Sequence, residues 1–135
     1  MENIVFEKYN TLAWKYEPIP FEVKRVYWIS NVPNQTIRGT HAHRFCEEIV
    51  CVLKGEVDVK LIESNGQITL IKLQQNEKLY IPVEVWKEIT FHEKAILIVY
   101  ASTEYDASDY VYEDEFFSKN VQDYPISSFS ESIMV

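Results

Sequence analysis

The chain has 135 residues, 47% of them apolar and 14% aromatic, enough for one domain that buries roughly two-thirds of its unfolded surface. Its formal net charge of −8 excludes a broad basic footprint for nucleic acid or an anionic membrane, while a few arginines can still hold a small anion locally. The longest apolar run, "AILIVYA" at 95–101, is far short of a membrane span.

The opening "MENIVFEKYN" has no basic start followed by an apolar stretch, so no signal peptide is read there. Cys46 and Cys51 stand five apart, without a C-x-x-C or metal-type spacing, and the expectation is a cytoplasmic protein with reduced thiols. "VKRVYWISNV" (23–32) alternates and is rich in β-branched and aromatic residues, which predicts a strand ending near Pro33-Asn34. Arg25, Tyr27 and Ile29 then share one face, with Val26 and Trp28 on the other. If the first face looks inward, Tyr27 brings a hydroxyl and Arg25 a fixed cation to the interior. Core packing with a satisfied hydroxyl is the other use of Tyr27.

"EEIVCVLKGEVDVKLIE" (47–63) reads as two strands joined tightly at Lys54-Gly55, and "SNG" (64–66) as a hairpin turn into "QITLIKL". "EKLYIPVEVWKEITF" (77–91) and "KAILIVYAST" (94–103) supply further strands, with Pro82 at an edge or bend. No amphipathic helix of three turns and no internal repeat is visible. From Glu104 the chain turns acidic and aromatic, "EYDASDYVYEDEFF", before a serine-rich end, "SSFSESIMV". Short strands at regular spacing predict an all-β sandwich or barrel. A single domain is expected over 1–117, with 118–135 as a C-terminal tail.

Two of the three histidines stand together in "TIRGTHAHRF". In a strand His41 and His43 point to one face, so they either converge on a cavity or face solvent at a strand end. Two imidazoles lining a cavity suit proton transfer, since histidine titrates near neutrality. Arg38 and Arg44 flank the pair, as holders of an anionic substrate or as surface charges.

His41, His43, Glu48 and Gly55 form H-x-H, four residues, E, six residues, G. This resembles the first motif of the cupin superfamily, whose fold is a small jelly-roll β-barrel. Metal-binding cupins add a third histidine from a later strand that follows a proline. Here that stretch is "YIPVEVWKEI", with Trp86 and Lys87 at the place in question, and a lysine opposes a divalent ion. A metal centre wants at least three protein ligands in fixed geometry, so no metal is expected.

The blocks "KRVYWI" (24–29), "RGTHAHR" (38–44), "YIPVEVWKEI" (80–89) and "ASTEYDASDYVYEDEF" (101–116) together resemble the nucleotide-sugar 3,4-ketoisomerases, cupin enzymes of unusual deoxysugar biosynthesis. The resemblance implies conversion of dTDP-4-keto-6-deoxyglucose to a 3-keto isomer without cofactor. It also implies a homodimer that exchanges N-terminal β-structure. It makes His41 the leading base, His43 a second proton carrier or orienting group, and Tyr27 an active-site tyrosine. Arg38 would sit near the diphosphate, and by position Arg25, Trp86 and Lys87 are further candidates for the nucleotide half. The family commonly carries an arginine in the acidic block where this chain has Tyr112, and often a tyrosine where it has Trp28. Three alternatives remain open: a related epimerase, a non-catalytic cupin that binds a nucleotide sugar as sensor or assembly module, and a metal-dependent cupin.

Overall fold

The computed structural model describes residues 8–10 and 19–120. Their strands are β1 (Lys8–Asn10), β2 (Arg25–Ile29), β3 (Thr36–His43), β4 (Glu48–Lys54), β5 (Glu56–Ile62), β6 (Ile68–Gln74), β7 (Glu77–Ile81), β8 (Trp86–Phe91), β9 (Ile96–Ala101) and β10 (Tyr110–Val111). They form two five-stranded sheets, ordered β1-β7-β4-β9-β2 and β10-β3-β8-β5-β6, with every pairing antiparallel. The sheets face each other as an open jelly roll, with β1, β2, β10 and β6 as edges rather than a closed hydrogen-bonded ring.

Alternation explains the core. Val50 and Val52 of β4, Val57, Val59 and Leu61 of β5, Ile89 and Phe91 of β8, and Leu97 and Val99 of β9 turn into the space between the sheets and pack there, all buried. β4 and β8 are buried on their other face as well, but only this inward set fills the space between the sheets, and a slip by one residue would replace all of it. "SNG" makes the predicted β5–β6 hairpin, in which Glu63 N–H donates to the Gln67 carbonyl and Gly66 N–H to that of Glu63. Lys54-Gly55 is a tight connection of another kind. β4 and β5 do not pair with each other, so the chain turns a corner there and changes sheets. Gly55 has φ +77° and a Cβ on it would lie 3.0 Å from Ala95 Cα, a corner only glycine fits. Pro82 falls in the break between β7 and β8, where its missing N–H costs no ladder bond.

A 3-10 turn (Ala107–Asp109) leads through β10 into a short helix, α1 (Glu113–Asn120), which lies across the expected boundary at 117. Phe116 of α1 is buried with Ala42, Ile62, Trp86 and Val111, and Phe117 packs against them, in a second apolar cluster. Arg44 clamps the helix, its Nη2 donating to both Glu115 carboxylate oxygens at 2.8 and 2.6 Å. The expected serine-rich end and most of the N-terminal segment assigned to exchange lie outside the described residues.

Candidate active site

β2 is an edge strand whose exposure alternates with every residue. Trp28 and Val26 face out, 68% and 47% exposed, while Arg25, Tyr27 and Ile29 line a cavity of about 410 Å³ between the sheets. β3 and β8 form the opposite wall. Arg38, Gly39 and His41 line it from β3, Lys87 and Ile89 from β8, and Tyr105 and Tyr110 from the acidic segment. Arg38 and His41 are three apart, so a regular strand would send them to opposite faces. The β3–β8 register shifts between them, from Arg38 opposite Ile89 to His41 opposite Lys87. Gly39 occupies this bulge at φ +72°, and the extra residue carries both side chains to the cavity.

His41 Nε2 lies 3.2 Å from His43 Nε2, and the His41 ring stacks on Tyr110 with centroids 4.4 Å apart. His43 is 5% exposed and sits behind His41. Its Nδ1 is 2.6 Å from Asp109 Oδ2, and its Nε2 is 3.3 Å from Glu48 Oε1. Glu48 is the hub of the buried face. It accepts from the Tyr27 hydroxyl at 2.8 Å and pairs through Oε1 with the Lys87 ammonium.

These contacts set the protonation states. Burial, then the Lys87 ammonium and the neighbouring His43 imidazole, push His41 down from 6.5 to about 3, so it is held as the neutral imidazole. Burial alone would raise Glu48, but the Lys87 ammonium and the His43 imidazole outweigh it and hold the carboxyl well below its usual range. Burial followed by the Glu48 charge raises Tyr27 and keeps it a phenol. The site therefore presents a neutral imidazole, a protonated hydroxyl and a paired cation to one cavity.

The structure brings five of the seven expected site residues, Tyr27, Arg25, Arg38, His41 and Lys87, to that cavity. His43 adjoins it through His41. Trp86 is elsewhere, fully buried against Phe116 and Phe117 with its Nε1 donating to Glu88 Oε2 at 3.0 Å. Alternation in β8 is the reason: Lys87 shares the inner face with Ile89, so Trp86 turns outward beneath α1. Trp86 is thus no shelf for the nucleotide. Arg44, the other arginine flanking the histidines, is engaged by Glu115.

Tyr105 and Tyr110 also line the cavity and Asp109 meets His43, and the sequence pattern carries no signal for any of the three. Asp109 is 3% exposed, but in "YDASDYVYEDEF" its carboxylate reads like any other of that acidic run. Only the pairing of β10 with β3, which sets Tyr110 opposite His43, delivers it to the imidazole.

The His41, His43 and Glu48 donors of a cupin metal set have the Lys87 ammonium among them, on Glu48 itself, where it repels a divalent ion. Among the described residues, donor atoms of His43, Cys46 and Asp109 also lie within 4.8 Å of one another, with His43 and Asp109 already hydrogen-bonded.

Residues 7–122 match the family model described as FdtA: WxcM-like, C-terminal. The chain is 35% identical over 106 residues to the TDP-4-oxo-6-deoxy-alpha-D-glucose-3,4-oxoisomerase of Aneurinibacillus thermoaerophilus, covering 76% of this chain and 75% of that one. Among solved structures it resembles the sugar 3,4-ketoisomerase QdtA of Thermoanaerobacterium thermosaccharolyticum in complex with TDP, with TM-score 0.71, 33% identity and coverage of 79% and 80%. It likewise resembles the TDP-quinovose 3,4-ketoisomerase WlaRB of Campylobacter jejuni, with TM-score 0.69, 36% identity and coverage of 75% and 79%.

Proposed function

The chain belongs to the FdtA family, WxcM-like, C-terminal, and is a sugar 3,4-ketoisomerase; we propose that it acts on dTDP-4-keto-6-deoxyglucose by proton transfer through His41. The substrate follows from the relatives, one named for TDP-4-oxo-6-deoxyglucose and one solved with TDP. The observation that carries the mechanism is the His41 imidazole lining the cavity with its Nε2 3.2 Å from a second imidazole.

The ketone at C4 acidifies the hydrogen on C3. His41 takes that proton and leaves an enediolate shared between C3 and C4. The O3 hydroxyl proton moves to O4, and a proton returned to C4 leaves the ketone at C3. Electrons balance within the sugar, so no redox partner enters. A pKa near 3 makes His41 a weak base at the outset, but negative charge growing beside it opposes the effects of burial and Lys87. His41 therefore gains basicity as the enediolate forms. Tyr27, held as a phenol, and Lys87 are the donors for that charge, and a preorganised donor of this kind contributes about 3 kcal/mol. Arg25 and Arg38 serve the diphosphate.

The enzyme is further proposed to be a cytoplasmic homodimer that exchanges N-terminal β-structure. Cys46 and Cys51 are free thiols, and no helix among the described residues is long and apolar enough to cross a membrane. An edge position for β1 agrees with exchange, because an edge strand can be replaced by its copy from a partner.

Proton NMR of the purified protein with dTDP-4-keto-6-deoxyglucose in deuterated buffer with chelator tests the reaction. A 3-keto product carrying deuterium at C4 is expected, and its C4 coupling constants give the configuration. Exchange at C3 or C5 with the ketone still at C4 would instead make it an epimerase. An inert sugar would point to a binding module or, if added metal restores turnover, to a metal enzyme.

A further inference from the structure

Asp109 is placed with more care than a solvated carboxylate needs. It is 3% exposed in an acidic surface segment, and both of its oxygens are used. Oδ1 accepts from Phe45 N–H at 2.6 Å and from Cys46 N–H at 3.3 Å. Oδ2 meets His43 Nδ1 at 2.6 Å. The two backbone donors stand just past the end of β3, and Arg44 N–H donates to the Asp109 carbonyl at 2.8 Å. The carboxylate is fixed on the same strand end that carries the imidazole.

An ionised carboxylate only accepts, so the proton it meets must be on His43 Nδ1. That leaves His43 Nε2 as the atom through which a proton can enter or leave, 3.2 Å from His41 Nε2 and 3.3 Å from Glu48 Oε1. When His43 is neutral, its Nε2 is an acceptor. His41 then donates its own Nε2–H, and the nitrogen of His41 left with a free lone pair is Nδ1.

From this wiring, and resting on the ketoisomerase reading above, we propose that Asp109 is a positioning residue that pins the His43 proton to Nδ1, so that His43 receives through Nε2 the charge His41 acquires from the sugar. The transfer balances. The C3 proton goes to His41 Nδ1, the His41 Nε2 proton passes to His43 Nε2, and the imidazolium so formed lies between the Asp109 and Glu48 carboxylates. The groups facing His43 are these two carboxylates, His41, the Tyr110 ring at 4.8 Å and the Cys46 thiol, with Lys87 reaching it through Glu48. The reverse transfers supply the proton that returns to carbon. His41 thus sheds charge that its own surroundings disfavour, an arrangement in which an orienting carboxylate acts only through the imidazole it holds.

Asp109→Asn keeps a carbonyl oxygen for the Phe45 and Cys46 N–H groups but turns an NH₂ toward His43 Nδ1. Neutral His43 then carries its proton on Nε2 and can no longer accept there. The expected result is a fall in kcat on the order of 10²–10⁴-fold, with KM changed little, because Asp109 does not line the cavity. Imidazole nitrogen-15 NMR near pH 7 should show His43 Nδ1 protonated in the native protein, and the Nε2–H tautomer in the folded variant. A folded variant that retains its kcat would overturn the proposal. So would a native His43 whose Nδ1 is unprotonated near pH 7, a readout that stands even if the variant does not fold. A native protein with the pinned tautomer but no isomerisation of the dTDP sugar would overturn the ketoisomerase reading and leave the hydrogen-bond assignment intact.

Discussion

His41 and His43 are two residues apart and chemically identical, yet their surroundings give them different work. His41 meets the cavity, a stacked tyrosine and a nearby ammonium. His43 is enclosed by carboxylates. His41→Asn should nearly abolish turnover at saturating substrate with the circular dichroism of the native fold. His43→Asn should be damaging but less so, and the roles would be exchanged if its kcat were the lower of the two. The depressed pKa of His41 also predicts a pH effect on stability. Between 6.5 and about 3 the unfolded chain binds a proton at this residue that the folded chain refuses, so its contribution is complete above pH 6.5 and is lost progressively as the pH falls through that window. The urea midpoint of the native protein should therefore drop more between pH 7 and pH 5 than that of His41→Asn, and equal drops would contradict the assigned shift.

Elements are legible in this chain where a period of two governs them. β2, β4, β5 and β9 each fall within a segment that alternates or is rich in β-branched residues, and the face of β2 assigned to Arg25, Tyr27 and Ile29 is the one that lines the cavity. Period two fails at β3, because a bulge changes the parity of everything beyond it. Nothing in "TIRGTHAH" tells a glycine that bulges from one that merely sits in a strand. Gly39→Ala tests the element directly. The left-handed φ of +72° costs a non-glycine residue about 1–2 kcal/mol, and the new Cβ would lie 3.3 Å from Lys87 Cε, a flexible stem that can yield. Urea denaturation should show a loss of that size. The value of kcat/KM should fall further than stability alone explains, since relaxing the bulge turns Arg38 away from His41. β8 gives the opposite lesson. Trp86 and Lys87 are adjacent candidates, but one strand cannot aim neighbours at one cavity, and only the placement of β8 between β3 and β5 shows that Lys87, with Ile89, faces in.

At the scale of the whole molecule, a net charge of −8 would repel the dianionic nucleotide sugar proposed as substrate, and the proposed local counterweight is the set of cationic side chains, Arg25, Arg38 and Lys87, that line one cavity. Association adds a second question of this scale. Sedimentation should give a single species of about twice the 16.0 kDa chain mass, and a species at the chain mass under assay concentrations would exclude the proposed dimer. The sequence by itself determined the all-β architecture, the β5–β6 hairpin, the grouping of Arg25, Tyr27 and Ile29 on one face of β2 and the paired histidines, because alternation and turn chemistry are local properties written in neighbouring residues. Only the tertiary structure decided that Lys54-Gly55 changes sheets, that Trp86 belongs to the core, and that Glu48 is held between Tyr27, Lys87 and His43. Asp109 belongs with these, lying 66 residues from the imidazole it meets, because such contacts depend on which strands pair across the sandwich and in what register.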